Sequence, residues 1–290
     1  MTWKQASLVL GAGIIAAACG DSAAPSIGVP LHGHVFVVVE ENTNYDSVVG
    51  TGAMPYLDTL IGRYALATQY YGNTHPSIGN YFMLTVGQVV TNDNSYADTV
   101  KLDNVVRRLL AAGKTWKSYA EALPQVGYTG GPVGQYVRRH NPLSYLSDVI
   151  DNPAQKQRLV PFTQFAADLA GDTLPNYSFI VPGLCNDAHD CPLGTADSWL
   201  RSNIKPLIDS PRFQQDGLLI ILFDEAGADN VYGGGHIVWV AVGAKIRPGY
   251  QSTTMYQHQS TMRLMLRALG VTSYPGAGVA SADMGEFFLP

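Results

Sequence analysis

Two distant stretches of the chain run from apolar residues straight into oxygen-bearing side chains. The first, VFVVVEEN, ends in Glu40, Glu41 and Asn42, and the second, LLIILFDE, ends in Asp224 and Glu225. Carboxylates gathered in one pocket must either share protons or hold a cation, and hard oxygen ligands suit a divalent metal ion. The alternative is that both stretches simply leave the fold into solvent.

The apolar part of each stretch predicts the element that would bring these groups together. An unbroken apolar run is typical of a strand buried on both faces of a parallel sheet. In such sheets ligands collect beyond the carboxyl ends of the strands. If the two strands are neighbours, their acidic ends meet in one pocket.

A candidate nucleophile lies in the stretch NTHPSIGN, which begins at Asn73. Pro76 is suited to the first turn of a helix, which would place Thr74 close to the helix start. A hydroxyl there meets unpaired backbone N–H groups and the positive end of the helix dipole, and these favour its alkoxide and a bound anion. The plainer interpretation is that Thr74 only caps the helix.

The loop CNDAHDC runs from Cys185 to Cys191 and holds Asp187, His189 and Asp190. If the one other cysteine is used in processing, these two are left to pair, and in an exported chain we predict a disulfide between them. The loop is dense in side chains that bind metals or transfer protons. It is therefore either a structural staple or part of an active site.

The N-terminus has the features of a secretory signal. Residues 1–19 combine Lys4, an apolar stretch of small residues and a cysteine, Cys19, directly after three alanines. This pattern resembles a bacterial lipobox, so we expect a lipid anchor on Cys19, in the periplasm or at the cell surface. The alternative is an ordinary cleaved signal and a secreted protein. The apolar stretch is shorter than a bilayer span requires. Residues 20–33 are predicted to be a flexible linker, and 34–290 a single domain.

Composition and periodicity predict the fold class. With 46% hydrophobic and 14% charged residues, the 290-residue chain is a globular one with a sizeable core. A net charge of -5 without any run of lysine or arginine argues against a nucleic-acid-binding surface. Alternating strands and helices predict an α/β fold with a mostly parallel sheet covered on both faces. Strands are predicted at 35–39, 115–119, 177–181, 218–223 and 237–242, and helices at 54–64, 103–112, 198–208 and 259–269.

A series of short motifs follows in order along the chain. They are EN at 41–42, an APYL-like turn at 53–57, THPS at 74–77 with NY at 80–81, RHNP at 139–142, LPNYSFIVP at 174–182, CND-x-H at 185–189, D-x-WL at 197–200, FDE at 223–225, GGGH at 233–236 and H-x-S at 258–260. Through this series the chain resembles the bacterial phosphoesterase family of acid phosphatases and C-type phospholipases, a branch of the alkaline phosphatase superfamily. The resemblance implies an alkaline-phosphatase-like three-layer sandwich.

The resemblance also implies a metal site and a nucleophile. It implies that Glu41, Asn42, Asp224 and Glu225 hold a divalent metal ion of unknown identity, with the hydroxyl of Thr74 coordinated to it. Such an ion lowers the pKa of the hydroxyl and neutralises charge on the phosphoryl oxygens. A phosphothreonine would form and water would then hydrolyse it.

Histidines complete the expected site, because a histidine titrates in the range where such a hydrolase would work. His189 and His236 are the expected proton-transfer residues, and His258 is a further candidate. A second metal ion, held by Asp187, His189 and His236, is the less favoured alternative to a single ion. The expected substrate-binding residues are His75, Asn80, His140 and His258.

The function that the resemblance implies is an exported, metal-dependent phosphomonoesterase acting on phosphate esters. The longer C-type phospholipases carry an added domain for which this chain has no room, which favours the phosphomonoesterase. The alternatives are a phospholipase C or phosphodiesterase acting on lipid headgroups, or a non-catalytic surface lipoprotein that keeps the fold. The chain departs from the family pattern at Ile78-Gly79, Gln259 and Leu266. These departures leave the metal ligands intact but alter the substrate-facing rim. The sequence does not indicate an oligomeric state.

Overall fold

The computed structural model describes residues 1–3 and 28–290. The bulk of the predicted signal at 1–19, the expected lipidation of Cys19 and most of the linker predicted at 20–33 lie outside the described residues. Within the described part of the chain, no helix has both the length and the apolar character that a bilayer span requires.

Eight strands form one mixed sheet, and two further short strands pair with each other. The strands are β1 (His34–Glu40), β2 (Ala65–Ala67), β3 (Tyr70–Tyr71), β4 (Trp116–Ala120), β5 (Leu159–Pro161), β6 (Tyr177–Val181), β7 (Gly217–Phe223), β8 (Trp239–Val242), β9 (Tyr250–Ser252) and β10 (Tyr256–Gln257). The order across the large sheet is β5-β4-β6-β1-β7-β8-β2-β9. Only β8 runs opposite to its neighbours in this sheet, so the prediction of a mostly parallel sheet is confirmed.

β1 and β7 occupy the middle of the sheet because they are apolar almost throughout. Val35 to Val38 are fully buried, and every residue of β7 is buried. A central parallel strand needs apolar side chains on both faces, and these two sequences supply them. The sheet places β4, β6, β1 and β7 next to one another, and all four are parallel. Their carboxyl ends therefore lie at the same edge of the sheet.

Helices pack around this sheet. They are α1 (Tyr45–Val48), α2 (Pro55–Arg63), α3 (Ile78–Val86), α4 (Val105–Ala111), α5 (Ser147–Ile150), α6 (Pro153–Lys156), α7 (Thr163–Ala170), α8 (Leu193–Asn203), α9 (Lys205–Asp209), α10 (Pro211–Asp216) and α11 (His258–Ala268). Short 3-10 helices lie at Arg138–His140, Pro142–Tyr145, Gly276–Val279 and Gly285–Phe287. One packed group contains α3, α4 and α11, and another contains α2, α8, α9 and α10.

Three predicted element boundaries need correction. The helix predicted at 198–208 is two helices that break at Ile204, because Pro206 lacks an N–H and its ring opposes the carbonyl four residues earlier. The strand predicted at 237–242 begins at Trp239. Pro76 does not lie in the first turn of α3, which begins at Ile78 with Ser77 as its N-cap, so Thr74 lies outside the helix start.

Candidate active site

The acidic ends of β1 and β7 lie side by side. Glu40 is paired with Phe223 in the sheet, and the N–H of Asp224 donates to the Glu40 carbonyl at 2.9 Å. The N–H of Asn42 then donates to the Asp224 carboxylate at 3.1 Å. Asn42 has a φ of 51°, a left-handed conformation that asparagine tolerates better than most residues. The two distant stretches therefore meet as the sequence predicts.

Ser77 reaches into this acidic cluster. Its hydroxyl lies 3.0 Å from Glu41 Oε2 and 3.2 Å from Glu225 Oε1, and the serine is buried. A serine at an N-cap usually accepts a hydrogen bond from the first turn of its helix, but the Ser77 side chain makes no such bond. Its hydroxyl is directed to the carboxylates instead. Tyr81, one turn further along α3, donates to Glu41 Oε1 at 2.5 Å.

The 3-10 helix Arg138–His140 and the loop after β6 each bring one imidazole, His140 and His189, to the same edge of the sheet. The N–H of Glu41 donates to the Asp187 carbonyl at 2.7 Å. His140 lies 3.3 Å from Glu41 through Nε2 and 3.2 Å from the Asp187 carboxylate through Nδ1. One ligand atom each from Glu41, His140 and His189 lie within 4.8 Å of one another. This trio is a candidate metal site that shares Glu41 with the strand-end set.

The predicted disulfide between Cys185 and Cys191 is formed and closes the loop that carries His189. His189 Nδ1 lies 2.7 Å from Asp190 Oδ1, and its Nε2 lies 3.3 Å from Arg139 Nη2. Because arginine only donates, Nε2 accepts, and Nδ1 carries the proton that is shared with Asp190. The ring is thereby fixed with Nδ1 against Asp190 and Nε2 against Arg139.

Burial and mutual repulsion raise the pKa values of the clustered carboxyl groups. Burial, with added repulsion from neighbouring carboxylates, holds the pKa values of Glu41 and Asp224 well above their usual range. Burial raises the pKa of Glu225 to about 7 and that of Asp187 to about 7. Glu40 is fully buried, and burial raises its pKa strongly as well.

The donor set fits a divalent metal ion. Asp224 Oδ2 is buried and accepts no hydrogen bond within the described chain, which leaves one carboxylate oxygen open to a cation. Carboxylate and amide oxygens are hard ligands, and imidazole extends the choice to transition metals. A bound cation would also offset the repulsion that raises the carboxyl pKa values.

Thr74, the predicted nucleophile, makes different contacts. Its hydroxyl lies 3.2 Å from the His75 carbonyl and accepts a hydrogen bond from the Asn92 side chain at 2.9 Å. The threonine is partly buried, and no hydrogen bond joins its hydroxyl to a carboxylate within the described residues. The structure therefore brings Ser77, rather than Thr74, into contact with the acidic cluster.

His75 and Asn80, two of the predicted substrate-binding residues, flank Thr74. His75 Nδ1 lies 2.7 Å from Glu225 Oε2, and its Nε2 lies 2.9 Å from the Asp229 carbonyl. The amide of Asn80 is fully buried: its oxygen accepts from the N–H of Thr74 and of the residue before it, and its nitrogen donates to the Thr74 carbonyl. Asn80 can therefore affect substrate binding only indirectly, by holding the backbone of residues 73–74.

His236 and His258 each contact a backbone carbonyl through Nε2. His236 Nε2 lies 3.0 Å from the Thr68 carbonyl, and its ring stacks on Tyr45. Among the described residues, the group of three His, Cys, Asp or Glu side chains close enough to share a metal ion is Glu41, His140 and His189, so His236 does not join Asp187 in the second metal site expected from the sequence. His258 is fully buried, its Nε2 lies 2.6 Å from the Asp224 carbonyl, and burial lowers its pKa to about 4. It acts on the site by holding the backbone of Asp224.

The GGGH motif packs between the two active-site segments. Gly234 donates to the Gly72 carbonyl and accepts from the N–H of Ala226. A Cβ at Gly234 would lie 2.6 Å from the Gly72 backbone, and one at Gly233 would lie 2.2 Å from the Asn73 carbonyl. Only glycine allows so close an approach, which explains the motif.

Ser77 and Arg139 lie at the site but are not among the residues that the sequence assigned to it. Ser77 shares the THPS motif with the predicted nucleophile, and Arg139 precedes His140 in RHNP. Both motifs were identified, but nothing in their spacing indicates which of two neighbouring polar side chains faces the carboxylates.

The fold is that of the alkaline phosphatase superfamily. A superfamily member from Vibrio parahaemolyticus superposes with a TM-score of 0.59 at 15% identity, covering 85% of this chain and 68% of that one. The lipoteichoic acid synthase LtaP from Listeria monocytogenes superposes with a TM-score of 0.61 at 11% identity, covering 87% of this chain and 76% of that one. The expected alkaline-phosphatase-like α/β fold is thereby confirmed.

The chain belongs to the Phosphoesterase family, whose model matches residues 51–272. A phosphatidylinositol-3-phosphatase of Mycobacterium tuberculosis is 30% identical over 280 residues, 94% of this chain and 89% of the relative. An acid phosphatase of Aspergillus fumigatus is 32% identical over 251 residues, 82% of this chain but only 55% of the relative. The chain thus spans about half the length of that fungal relative. This chain is a phosphoric ester hydrolase.

Proposed function

We propose that this chain is an exported, metal-dependent phosphatase that removes the phosphoryl group from phosphate monoesters. The observation that carries the proposal is the buried Ser77 hydroxyl, which lies between Glu41 and Glu225. A hydroxyl is a weak nucleophile until its proton is removed or its pKa is lowered. Here it lies among carboxylates that can take the proton and beside a donor set that fits a cation.

Two overlapping sets of residues can hold the ion. The strand-end set predicted from the sequence is Glu41, Asn42, Asp224 and Glu225. The second set is Glu41, His140 and His189, whose ligand atoms lie within 4.8 Å of one another. When bound, a divalent cation would lower the pKa of the attacking hydroxyl and neutralise charge on the phosphoryl oxygens.

The attack is assigned to a hydroxyl of the segment 74–77. The sequence resemblance favours Thr74 and a phosphothreonine intermediate, whereas the contacts favour Ser77. In the first step the hydroxyl oxygen forms a bond to phosphorus, and the bond from phosphorus to the leaving alcohol breaks. In the second step water attacks phosphorus, the bond to the side-chain oxygen breaks, and inorganic phosphate leaves.

If the strand-end set holds the ion, His189 is free to move the proton in both steps. Its Nδ1 is held by Asp190, an arrangement that orients the ring and fixes its tautomer. When the contact of Nε2 with Arg139 opens, a protonated Nε2 can donate to the leaving alcohol, and the neutral ring can then take a proton from the attacking water. His236 stays the alternative predicted from the sequence, although its Nε2 lies against the Thr68 carbonyl.

The preference for monoesters rests on the relatives, which are a phosphatidylinositol-3-phosphatase and acid phosphatases. Export is supported by the disulfide between Cys185 and Cys191, because disulfides persist in oxidising compartments. A lipid anchor on Cys19 remains part of the proposal. It predicts that Cys19→Ala moves the protein from the membrane fraction to the soluble fraction.

A substrate panel with and without a chelator tests the proposal. We expect chelated protein to lose hydrolysis of p-nitrophenyl phosphate and one added divalent ion to restore it. The same protein should hydrolyse bis(p-nitrophenyl) phosphate and a choline-headgroup phospholipid far more slowly. A faster rate on the diester or the lipid would make it a phosphodiesterase or a phospholipase C, and full activity after chelation would rule out the metal.

A further inference from the structure

A cavity lies next to the candidate active site and shares Arg139 with it. It has a volume of about 710 Å³, within the range of small-molecule pockets. Two surface segments, 94–97 and 129–132, form its walls, and Val137, Arg138, Arg139 and Tyr145 close it. We refer to this cavity as the side pocket.

Two contacts connect the side pocket to the candidate active site. Arg139 lines the pocket, and its Nη2 lies 3.3 Å from Nε2 of His189. Asn92, two residues before the pocket wall begins, donates to the Thr74 hydroxyl at 2.9 Å. A molecule that fills the side pocket therefore contacts Arg139, the residue that the pocket shares with His189.

The lining of the side pocket combines apolar side chains with positive charge. Tyr96, Pro132, Val137 and Tyr145 supply aromatic and aliphatic groups, and no carboxylate lines the pocket in the described chain. Such a lining suits an apolar, ring-sized group that is attached to an anion.

The two arginines of the pocket have different surroundings. Arg138 is fixed, because it donates to the Ala97 and Ser144 carbonyls and its guanidinium lies 3.9 Å from the centre of the Tyr145 ring. Arg139 contacts His189 through Nη2, and no carboxylate pairs with its guanidinium in the described chain. Arg139 thus keeps donors for an anion at the point where the pocket meets the active site.

We propose that the side pocket is the leaving-group site, which receives an apolar, aromatic-sized alcohol while Arg139 contacts the phosphate at its inner end. The proposal rests on the phosphatase activity proposed above and specifies its substrate class. It predicts that the enzyme prefers esters of bulky apolar alcohols to esters of small ones. The groups that attack phosphorus lie outside the pocket, so filling it should change selectivity.

Gly131→Trp tests this assignment. A Cβ at Gly131 meets no atom within 4 Å, and its φ is not in the left-handed region, so a larger side chain is tolerated without strain at a residue that lines the pocket. Gly62→Trp is the matched control, because Gly62 is equally open and lies on the exposed face of α2. Ala97→Trp, from an exposed position of the opposite wall, is a second filling variant.

The readout is the ratio of kcat/KM for 1-naphthyl phosphate to kcat/KM for methyl phosphate. We expect each filling variant to lower this ratio at least tenfold and Gly62→Trp to leave it unchanged. An unchanged ratio in both filling variants, at wild-type Tm, would overturn the assignment.

Binding of 1-naphthylmethylphosphonate, measured by calorimetry, separates this proposal from the proposed activity. Binding that is weakened at least tenfold by Gly131→Trp supports the side pocket even if wild-type protein hydrolyses neither ester, in which case the proposed activity alone fails. Equal binding in wild-type protein and Gly131→Trp, or no binding to wild-type protein, overturns the side pocket whatever the activity.

Discussion

The Ser77 hydroxyl lies 3.0 Å from the carboxylate of Glu41, the residue that follows the first central strand. Ser77 occupies the N-cap of α3 without capping it. The positive end of that helix favours an anionic oxygen at this position. A nucleophile would be placed in this way, with its proton acceptors on one side and the helix dipole on the other.

Ser77→Ala is predicted to lower kcat by a factor of at least about 10³, because it removes the attacking oxygen. Thr74→Ala should lower kcat much less, since its hydroxyl contacts only the His75 carbonyl and Asn92. The measurement is steady-state turnover of p-nitrophenyl phosphate, followed by acid quench and mass spectrometry of the peptide that contains residues 74–77.

Ser198→Ala is the matched control for a lost serine hydroxyl. Ser198 is exposed on α8 and bonds only to the Gly194 carbonyl, so turnover should stay at the wild-type level. Phosphate trapped on Thr74, together with loss of turnover in Thr74→Ala, would restore the threonine predicted from the sequence.

The strand-end carboxylates were predictable from the sequence for a geometric reason. Long apolar runs identify β1 and β7, and parallel strands leave their carboxyl ends at one edge, so Glu41 and Asp224 had to meet if the strands were neighbours. The short strands β2 and β9 were not predicted, because three residues carry no measurable periodicity.

The contacts of Ser77 and Arg139 could not be predicted in the same way. Both lie in segments without regular periodicity, where side-chain direction depends on local backbone conformation and on contacts with distant residues. The helix that was expected to include Pro76 begins at Ile78 instead, which makes Ser77 its N-cap and leaves Thr74 outside the helix start. Composition and motif order identified the family but did not indicate which hydroxyl of THPS contacts the carboxylates.

The stability of chelated protein is predicted to fall as pH rises from 5 to 8, because the raised pKa values of the five clustered carboxyl groups outweigh the lowered pKa values of His32, His140 and His258, which act in the opposite direction below pH 6.5. The folded-state pKa values of Glu225 and Asp187 are raised to about 7 from ordinary values near 4. A carboxyl group with a raised folded-state pKa binds its proton more tightly in the folded protein. The stability that it adds is complete below the unfolded pKa and is lost as pH rises through the folded value. The measurement is Tm against pH in the presence of chelator.

Two variants separate this effect from general titration. Glu225→Gln should reduce the fall in Tm between pH 5 and 8. Asp172→Asn should not, because Arg212 lowers the pKa of Asp172 and keeps it ionised throughout this range. An added divalent ion should raise Tm more at pH 8 than at pH 5, since protons no longer compete for the carboxylates. A Tm that rises with pH in chelated protein would contradict the cluster of raised pKa values.

Gly234→Ala is predicted to lower kcat/KM at least tenfold while the protein still folds. The added methyl group would lie 2.6 Å from the Gly72 backbone, so the segment leading to Thr74 and Ser77 must move. A misplacement of about 1 Å in a catalytic group can cost on the order of 10²-fold in rate. Gly62→Ala is the control, because its methyl group meets nothing within 4 Å. Equal kcat/KM in the two variants would show that the GGGH loop does not position the nucleophile.

Removing the disulfide is predicted to reduce activity more than its effect on stability explains. The double change Cys185→Ser with Cys191→Ser opens a loop of short span, which costs about 2 kcal/mol in the chain-entropy model. The same loop holds His189 against Asp190. Releasing the loop should therefore lower kcat even at temperatures well below the Tm. Leu60→Ala, a buried change in α2 that costs about 2–5 kcal/mol, provides a protein of similar or lower stability with an intact loop. If Leu60→Ala and the double serine variant lose the same fraction of kcat at 25 °C, the disulfide stabilises the fold without positioning His189.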